Sequence, residues 1–342
     1  MVSFQRQLAL GLARRGVEVC YDLQDRPYQA VLVVGGTRQL PGLWRARRRG
    51  IPVIQRLDGM NWLHRLPPTA GRPRASLRHV LRAEYGNLNL ALVRSRLASA
   101  VVYQSEFSCS WWERAHGPTP VPKRVVYNGV DLETFQPLPG AERPQDRWRL
   151  LLLEGSLMGG YEFGLTLGVQ LAGELAGLLR GTRLERLVEL RVVGRVDPQA
   201  QSEWDGLHAS KTLPAGVALS WAGLQPHERI PAIDNAAHLL YSADVNAACP
   251  NAVIEAMACG LPVIAFDSGA LAELVREGAG RVVPYGGDPW RLEPPDVPGL
   301  AQAALEVLQG QERYRPAARR RAQAQFGLER MVDGYWQVLS QV

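Results

Sequence analysis

The residues best suited to chemistry lie between Cys249 and Glu273, in the run CPNAVIEAMACGLPVIAFDSGALAE. Pro250 and Asn251 should open a helix, with Asn251 as a candidate cap. Glu255 falls in its first turns, Gly260 should stop it, and Pro262 enters a strand. Ser268 and Gly269 then read as a tight turn that opens another helix. Free backbone N–H groups at such a helix start can hold a phosphate. Glu255 could accept hydrogen bonds from two vicinal hydroxyls, as a ribose presents. Its other reading is plain: a carboxylate that complements a helix dipole.

The elements around this block alternate. Val17–Tyr21, Ala30–Val34, Pro52–Gln55, Ala100–Tyr103 and Arg124–Tyr127 are short apolar runs. They fit buried strands of a parallel sheet covered on both faces. Phe4–Arg15 reads as an amphipathic helix stopped by Gly16. The stretch 117–147 is rich in proline, which suits a connection between domains. A second alternation follows: strand Trp148–Leu153, helix Leu165–Leu179, strands Val188–Val193, Val217–Trp221 and His238–Tyr241, helix Asn251–Cys259 and strand Pro262–Phe266. Glu312–Leu339 reads as one or two helices with Phe326, Met331 and Tyr335 inward. Two doubly wound α/β domains result, and ligands of such sheets bind beyond the carboxyl ends of the strands. A cleft between the domains is then the default site. The chain opens inside a helix, where a doubly wound domain normally has a strand and a glycine turn first. Either that first strand is missing or the domain starts with a helix.

Composition bounds the rest. The 342 residues carry 39 Lys and Arg against 33 Asp and Glu, with 46% hydrophobic side chains, an ordinary globular balance. The net charge of +6 hides a split: 20 basic against 7 acidic side chains in residues 1–125, and 19 against 26 in the remainder. No apolar run approaches the ~18 residues of a membrane span, and the start MVSFQR lacks a signal-peptide pattern. Cys20, Cys109, Cys249 and Cys259 are scattered and read as reduced, buried thiols of a cytosolic protein. Arginines at 45, 47, 48, 49, 72, 74, 78 and 82 come with no nucleic-acid recognition motif, so nucleic acid is not a partner. The stretch Arg74–Arg96 could instead be a basic helix with Leu77, Leu81 and Leu92 on its other side, suited to an anionic membrane surface. The plainer reading is a solvated arginine face.

The block from Cys249 resembles the signature of the retaining glycosyltransferases of family 4, which have the GT-B fold of two Rossmann-like domains. Those enzymes carry E-x7-E, then AMACG-x-PV, then a GG-x-x-E turn. Ala256–Val263 matches the middle part almost letter for letter, and Ser268, Gly269 and Glu273 match the turn. Val126–Asp131 with Phe135 resembles the YNGVD segment that precedes the interdomain crossing, and Phe326, Glu329, Met331, Val332 and Tyr335 resemble the closing helix. The resemblance implies an acceptor-side domain at 1–135, a linker at 136–147, a nucleotide-sugar-binding domain at 148–311 and a C-terminal helix, 312–342, that returns to the first domain. It implies sugar transfer with retention from a nucleotide-sugar donor to a glycan or lipid-linked acceptor, in cell-surface glycan, polysaccharide or glycolipid synthesis. No metal or other cofactor is required. Glu255 matches the family's ribose-binding glutamate. The expected location is cytoplasmic, peripheral on the inner face of the membrane.

Two departures stand out. The first glutamate of E-x7-E falls on Ala247, and the family's phosphate-binding Arg and Lys are absent from the turn Glu154–Gly160, where Ser156 replaces the arginine. A non-catalytic or weakly active nucleotide-sugar binder is therefore the alternative. Backbone groups at Gly155 and Gly269, with Asn251, Ser268 and Glu273, are the remaining donor-side candidates. Arg195, after strand Val188–Val193, is either a substitute phosphate partner or a solvated loop charge. In the first half, Gly35, Gly36 and Thr37 follow a strand, and Arg56, Asp58 and His64 follow the next. Asp58 could orient a sugar hydroxyl, or merely turn the chain with Gly59. With Gly155 and Ser156 it makes up the catalytic set. His64 stands near where the family often has a histidine, though a lone histidine is more often structural.

Overall fold

Parallel strands joined in sequence require crossovers of one hand, which places their helices on one face of the sheet. The first half of the chain is built this way. The computed structural model describes residues 2–68, 75–157, 163–209 and 213–341, and divides into two compact units. Unit 1 comprises residues 1–129 and 326–342, and unit 2 comprises 130–325.

Unit 1 runs α1 (Val2–Ala13), β1 (Val31–Val34), α2 (Leu40–Arg48), β2 (Val53–Leu57), α3 (Leu77–Leu92), β3 (Ala100–Tyr103), α4 (Glu106–His116) and β4 (Lys123–Val125). Its described strands form one parallel sheet in the order β1-β2-β3-β4. Alternate residues of a strand face opposite sides. Val33 and Val53 meet Leu43 and Ala46 of α2, and Val93 and Leu97 of the turn after α3. Ile54, Ala100 and Val102 face the other way. That second face is covered by Phe4, Leu8 and Leu12 of α1 and by Met331, Val332, Tyr335 and Val338 from the far end of the chain. Sequential crossovers cannot supply a cover for this face, so the two terminal helices do.

The predicted strand at Val17–Tyr21 does not form. Those residues are in no ladder, and Val17 and Val19 instead pack against the α1 cluster. Among the described residues β1 pairs only with β2. The sequence reading also missed α2, which begins with a proline at its first turn, and α4.

Unit 2 runs β5 (Arg147–Leu157), α5 (Phe163–Leu179), β6 (Leu187–Val196), α6 (Pro198–Ala209), β7 (Val217–Gly223), α7 (Ile230–Asn235), β8 (Leu239–Tyr241), α8 (Asn251–Ala258), β9 (Val263–Phe266), α9 (Leu271–Leu274), β10 (Gly280–Val283), α10 (Val297–Gln309) and α11 (Gln311–Gln325). The last helix, α12 (Leu328–Gln341), belongs to unit 1. The unit 2 strands make one parallel sheet, β10-β9-β8-β5-β6-β7. The chain starts in the middle at β5, winds outward through β6 and β7, then reverses to β8, β9 and β10. The neighbours β5 and β8 therefore flank a topological switch point, where their following loops part and leave a crevice. Leu150, Leu151, Leu152, Leu190, Leu239, Leu240 and Ile264 are almost wholly buried, as the continuous apolar runs predict. Residues 130–146 form no helix or long strand. They are fixed by Arg319 of α11, which donates to the carbonyls of Leu132, Phe135 and Ala258 at 3.0, 2.7 and 2.7 Å.

Candidate functional site

In unit 2 the candidate residues gather at the carboxyl end of the sheet. β5 and β6 run in register from Arg147 to Leu153, then shift, and re-pair at Ser156 with Arg195. Glu154 and Gly155 form the irregular step. Such a bulge re-aims backbone groups and is common beside functional sites. Gly194 allows it: its φ is +141°, and a Cβ there would stand 1.9 Å from the Glu154 carbonyl oxygen. Cross-strand partners of a parallel pair point to the same face, so Ser156 and Arg195 are neighbours, and both are exposed. The position where an arginine is missing thus has one on the adjoining strand. Gly155 is open: a Cβ there would meet nothing within 4 Å. Met158, Gly159 and Gly160, the rest of the predicted turn, lie outside the described residues.

The sequence reading missed a carboxyl pair at this point. Glu154 lies in the bulge of β5 and Asp244 follows β8, on the two sides of the switch point. Burial pushes both carboxyls above their usual range, and the charge of Asp244 pushes Glu154 further. Each stands just past a predicted strand, so the signal was there once the order of strands was known.

Ser268 and Gly269 hold the loop rather than open a long helix. Ser268 Oγ accepts from the Asn246 backbone N–H at 2.8 Å and donates to Asn246 Oδ1 at 3.2 Å. Ala270 N donates to Ala247 O at 2.9 Å. A Cβ on Gly269 would lie 2.5 Å from both the N and the O of Ala247. As expected, the turn leads into a helix, α9, which has four residues, and the turn itself is clamped on Ala247. Glu273 lies in α9, and its carbonyl accepts from Arg321 at 3.0 Å. Asn251 is corrected. It is the first helical residue of α8, and the cap position belongs to Pro250.

Glu255, on α8, is largely buried and accepts from, or shares a proton with, His227 Nε2 at 3.0 Å. His227 lies in a short 3-10 turn, His227–Arg229, beyond β7, with its ring 5.1 Å from that of Phe135. The Glu255 carboxylate raises the His227 pKa above its ordinary value. Burial raises the Asp234 carboxyl still more, with the charge of Glu255 adding to it. A lone histidine after a strand carries no motif, so sequence alone could not link it to Glu255.

In unit 1 each candidate has its own structural partner. Thr37 N donates to Asn89 Oδ1 at 3.0 Å and Asn89 Nδ2 donates to Thr37 O at 2.9 Å, which fixes the turn Gly35–Gly36–Thr37 after β1. Asn87 does the same for Asn61, with bonds of 2.9 Å in each direction. Residues two apart on a helix point to nearly opposite sides, so α3 clasps the loops after β1 and β2 with one amide each. Arg56 is buried, donates to Asn128 Oδ1 at 2.9 Å and lies 3.8 Å over the Phe4 ring. Asn128 passes the chain of bonds to Gln104 at 3.2 Å. The carbonyl of Asp58 accepts from Ser108 Oγ at 3.0 Å and from Trp112 Nε1 at 2.7 Å, while burial raises its carboxyl pKa against the opposing pull of Arg56. His64 is a packed residue. Its side chain is buried, and Nε2 meets Glu84 Oε1 at 2.9 Å. The segments around Asn128 and Met331 meet as well: Tyr127 and Phe326 are in edge contact at 5.6 Å, and Gly129 N donates to Met331 Sδ at 3.1 Å.

All four cysteines are free. Cys109, Cys249 and Cys259 are buried, and Cys20 is exposed, contrary to the expectation for that residue. Among the described residues no cluster of side chains suits a metal ion, and no helix is long and apolar enough to cross a membrane.

The two-unit parallel-sheet architecture is that of the GT-B glycosyltransferases. Sucrose-phosphate synthase from Thermosynechococcus elongatus superposes with a TM-score of 0.67 at 19% identity, covering 99% of this chain and 78% of that one. Anabaena Alr3699/HepE, in complex with UDP and glucose, gives 0.61 at 19%, over 91% and 78%. A glycosyltransferase from Rickettsia africae gives 0.62 at 15%, over 99% and 80%. At such identities these likenesses establish the fold. By sequence, residues 168–310 match the model of the family Glycosyl transferases group 1. No curated protein matches the chain.

Proposed function

We propose that the protein transfers a sugar from a nucleotide-sugar donor to an acceptor hydroxyl with retention of configuration, with unit 2 holding the donor and unit 1 the acceptor. The observation that carries this reading is the donor-side geometry. A six-stranded sheet of the dinucleotide-binding order has its bulge, Gly155, Ser156 and Arg195 at the carboxyl ends of β5 and β6. Glu255 stands on the helix after β8, within the segment that matches the family. Ligands of such sheets bind at the switch point. Glu255 accepts the ribose hydroxyls, and Arg195 with the backbone around Gly155 receives the diphosphate. No strong nucleophile is needed. Catalysis consists of holding donor and acceptor together and stabilising charge on the departing diphosphate. A departing phosphate oxygen takes the acceptor proton. Asp58 orients the acceptor, and the reaction uses no metal, so chelation leaves turnover unchanged. HepE was solved with UDP-glucose as well as UDP, which makes UDP-glucose the first donor to try. An acceptor in polysaccharide or glycolipid synthesis, on the cytoplasmic side, suits the basic first half of the chain.

A thermal-shift screen of nucleotides and nucleotide sugars tests the reading, because a ligand that binds only the native state stabilises it by mass action. A rise with a uridine or other nucleoside diphosphate supports it, and no rise with any nucleotide defeats it. A second reading, a binder with little or no turnover, is favoured by Ala247 and by the Glu154–Asp244 pair. Carboxyls beside a diphosphate repel it unless protonated, and one missing donor to developing charge costs about 2.7–4 kcal/mol. Arg195→Ala separates the roles. Affinity for a nucleoside diphosphate should fall roughly tenfold or more while affinity for the bare nucleoside holds, as measured by calorimetric titration. Equal losses for both ligands would remove Arg195 from the phosphate site.

A further inference from the structure

A helix packed on a sheet normally turns its large apolar residues inward. α3 does not. Leu77, Leu81, Tyr85, Leu88 and Leu92 are between 41% and 73% exposed. Their spacings of four, four, three and four residues set them in a stripe about 80° wide and about 22 Å long on one helix face. The opposite face, with Ala83, Asn87 and Leu90, is the buried one. A contiguous apolar stripe of this kind marks an interaction surface.

The charges around the stripe say what it meets. Arg78 and Arg82 are exposed and border it on one side, and Arg96 is exposed in the turn that follows. The one acidic residue of α3, Glu84, is not available as a counter-charge. Arg65 binds both its oxygens at 2.7 Å, His64 is at 2.9 Å, and these hold its carboxyl down to about 2. The rim is therefore positive. A second copy seated on this face would bring two arginine-bearing rims into one interface, with no free carboxylate of α3 on either copy to answer them. An anionic bilayer meets both needs at once: leucines and a tyrosine for the acyl boundary, and arginines for the headgroups.

We propose that the outer face of α3 is an interfacial helix that docks unit 1 on an anionic membrane surface. The same helix clasps the loops after β1 and β2 through Asn89 and Asn87, both buried on its flanks. On the acceptor-side reading above, docking brings those loops to a membrane-held acceptor.

The test is co-sedimentation of the full chain with phosphatidylcholine vesicles, with and without phosphatidylglycerol. Binding is expected only with the anionic lipid and should weaken as salt rises. Arg78→Gln with Arg82→Gln should weaken it about 25-fold, at about fivefold per arginine. Leu81→Glu with Leu88→Glu should abolish it while leaving the thermal unfolding temperature unchanged, since both leucines are exposed. Absence of binding, or binding untouched by the leucine pair, overturns the proposal. So does a concentration-dependent dimer that the leucine pair dissolves, which would assign the face to a second copy. The outcome is independent of the donor reading. Vesicle binding without any nucleotide shift keeps the docking surface and removes the transferase, and the reverse removes only the docking surface.

Discussion

A carboxylate that is to receive two hydroxyls must be held still. For Glu255, His227 does this, at the cost of occupying one oxygen. Glu255→Gln should weaken nucleotide binding roughly 10- to 100-fold, the usual worth of a hydrogen bond to a charged group. Discrimination between ribose and deoxyribose nucleotides should fall with it in the same titration. An unaltered preference for ribose would leave Glu255 as a dipole-complementing residue. The pair also has a pH signature. Because Glu255 raises the His227 pKa in the native state, protonated His227 contributes stability fully below its unfolded value of about 6.5. That contribution is lost as pH rises through the raised native value. Half-exposure of the ring limits it to less than about 1 kcal/mol. Denaturant unfolding of the protein and of His227→Gln should therefore differ most under mildly acidic conditions and converge in the alkaline range.

At the scale of the element, the bulge between β5 and β6 is the feature on which the proposed phosphate site depends. It exists because Gly194 lacks a side chain. Gly194→Ala would press a methyl into the Glu154 carbonyl and demand a backbone angle that L residues avoid. A loss of about 3 kcal/mol or more is expected in urea unfolding. If the sheet survives, the pairing of Ser156 with Arg195 should be displaced, and nucleoside diphosphate affinity should drop with it. A neutral effect on stability would mean that β6 accommodates the methyl, so that the glycine is not what shapes the step. The loops of unit 1 depend on a different device. Their backbone groups are satisfied by two asparagines of α3, and the same helix keeps its apolar residues on the outside. One element thus positions the candidate acceptor loops and presents a surface to something else.

At the scale of the whole molecule, the chain leaves unit 1 at Gly129 and re-enters it at Phe326. The return is structural. Met331, Val332, Tyr335 and Val338 complete the cover over one face of the unit 1 sheet, and Arg15 of α1 binds Glu329 and Asp333 at 2.9 and 2.6 Å. Each large buried side chain stabilises by roughly 1.5–3 kcal/mol, so the helix supplies an amount comparable with a whole domain's margin of about 5–15 kcal/mol. A chain ending at Gln325 should therefore lose the unit 1 transition in calorimetry and keep that of unit 2. Retention of both transitions would show that α1 alone suffices as cover.

How much of this was legible beforehand follows physical range. The apolar runs around Val33, Ile54, Val101, Leu151 and Val263 predicted strands because burial on both faces leaves a local record in residue type. The helix of Glu255 was legible through Gly260 and Pro262, and the block around it pointed to the family. Val17–Tyr21 misled, because its valines are packed against the α1 cluster while the segment joins no ladder. The turn at Ser268 and Gly269 was legible, but not that Ala247 would lie against it. What the sequence determined by itself is therefore most of the elements, the two α/β units and the motif around Glu255, all set by residues within a few turns of one another. What only the tertiary structure decided is who meets whom: His227 with Glu255, Glu154 with Asp244, Ser156 with Arg195, and α3 with two loops. Those pairs lie tens of residues apart, and the order in which the strands lie in each sheet, which no local pattern encodes, brings them together.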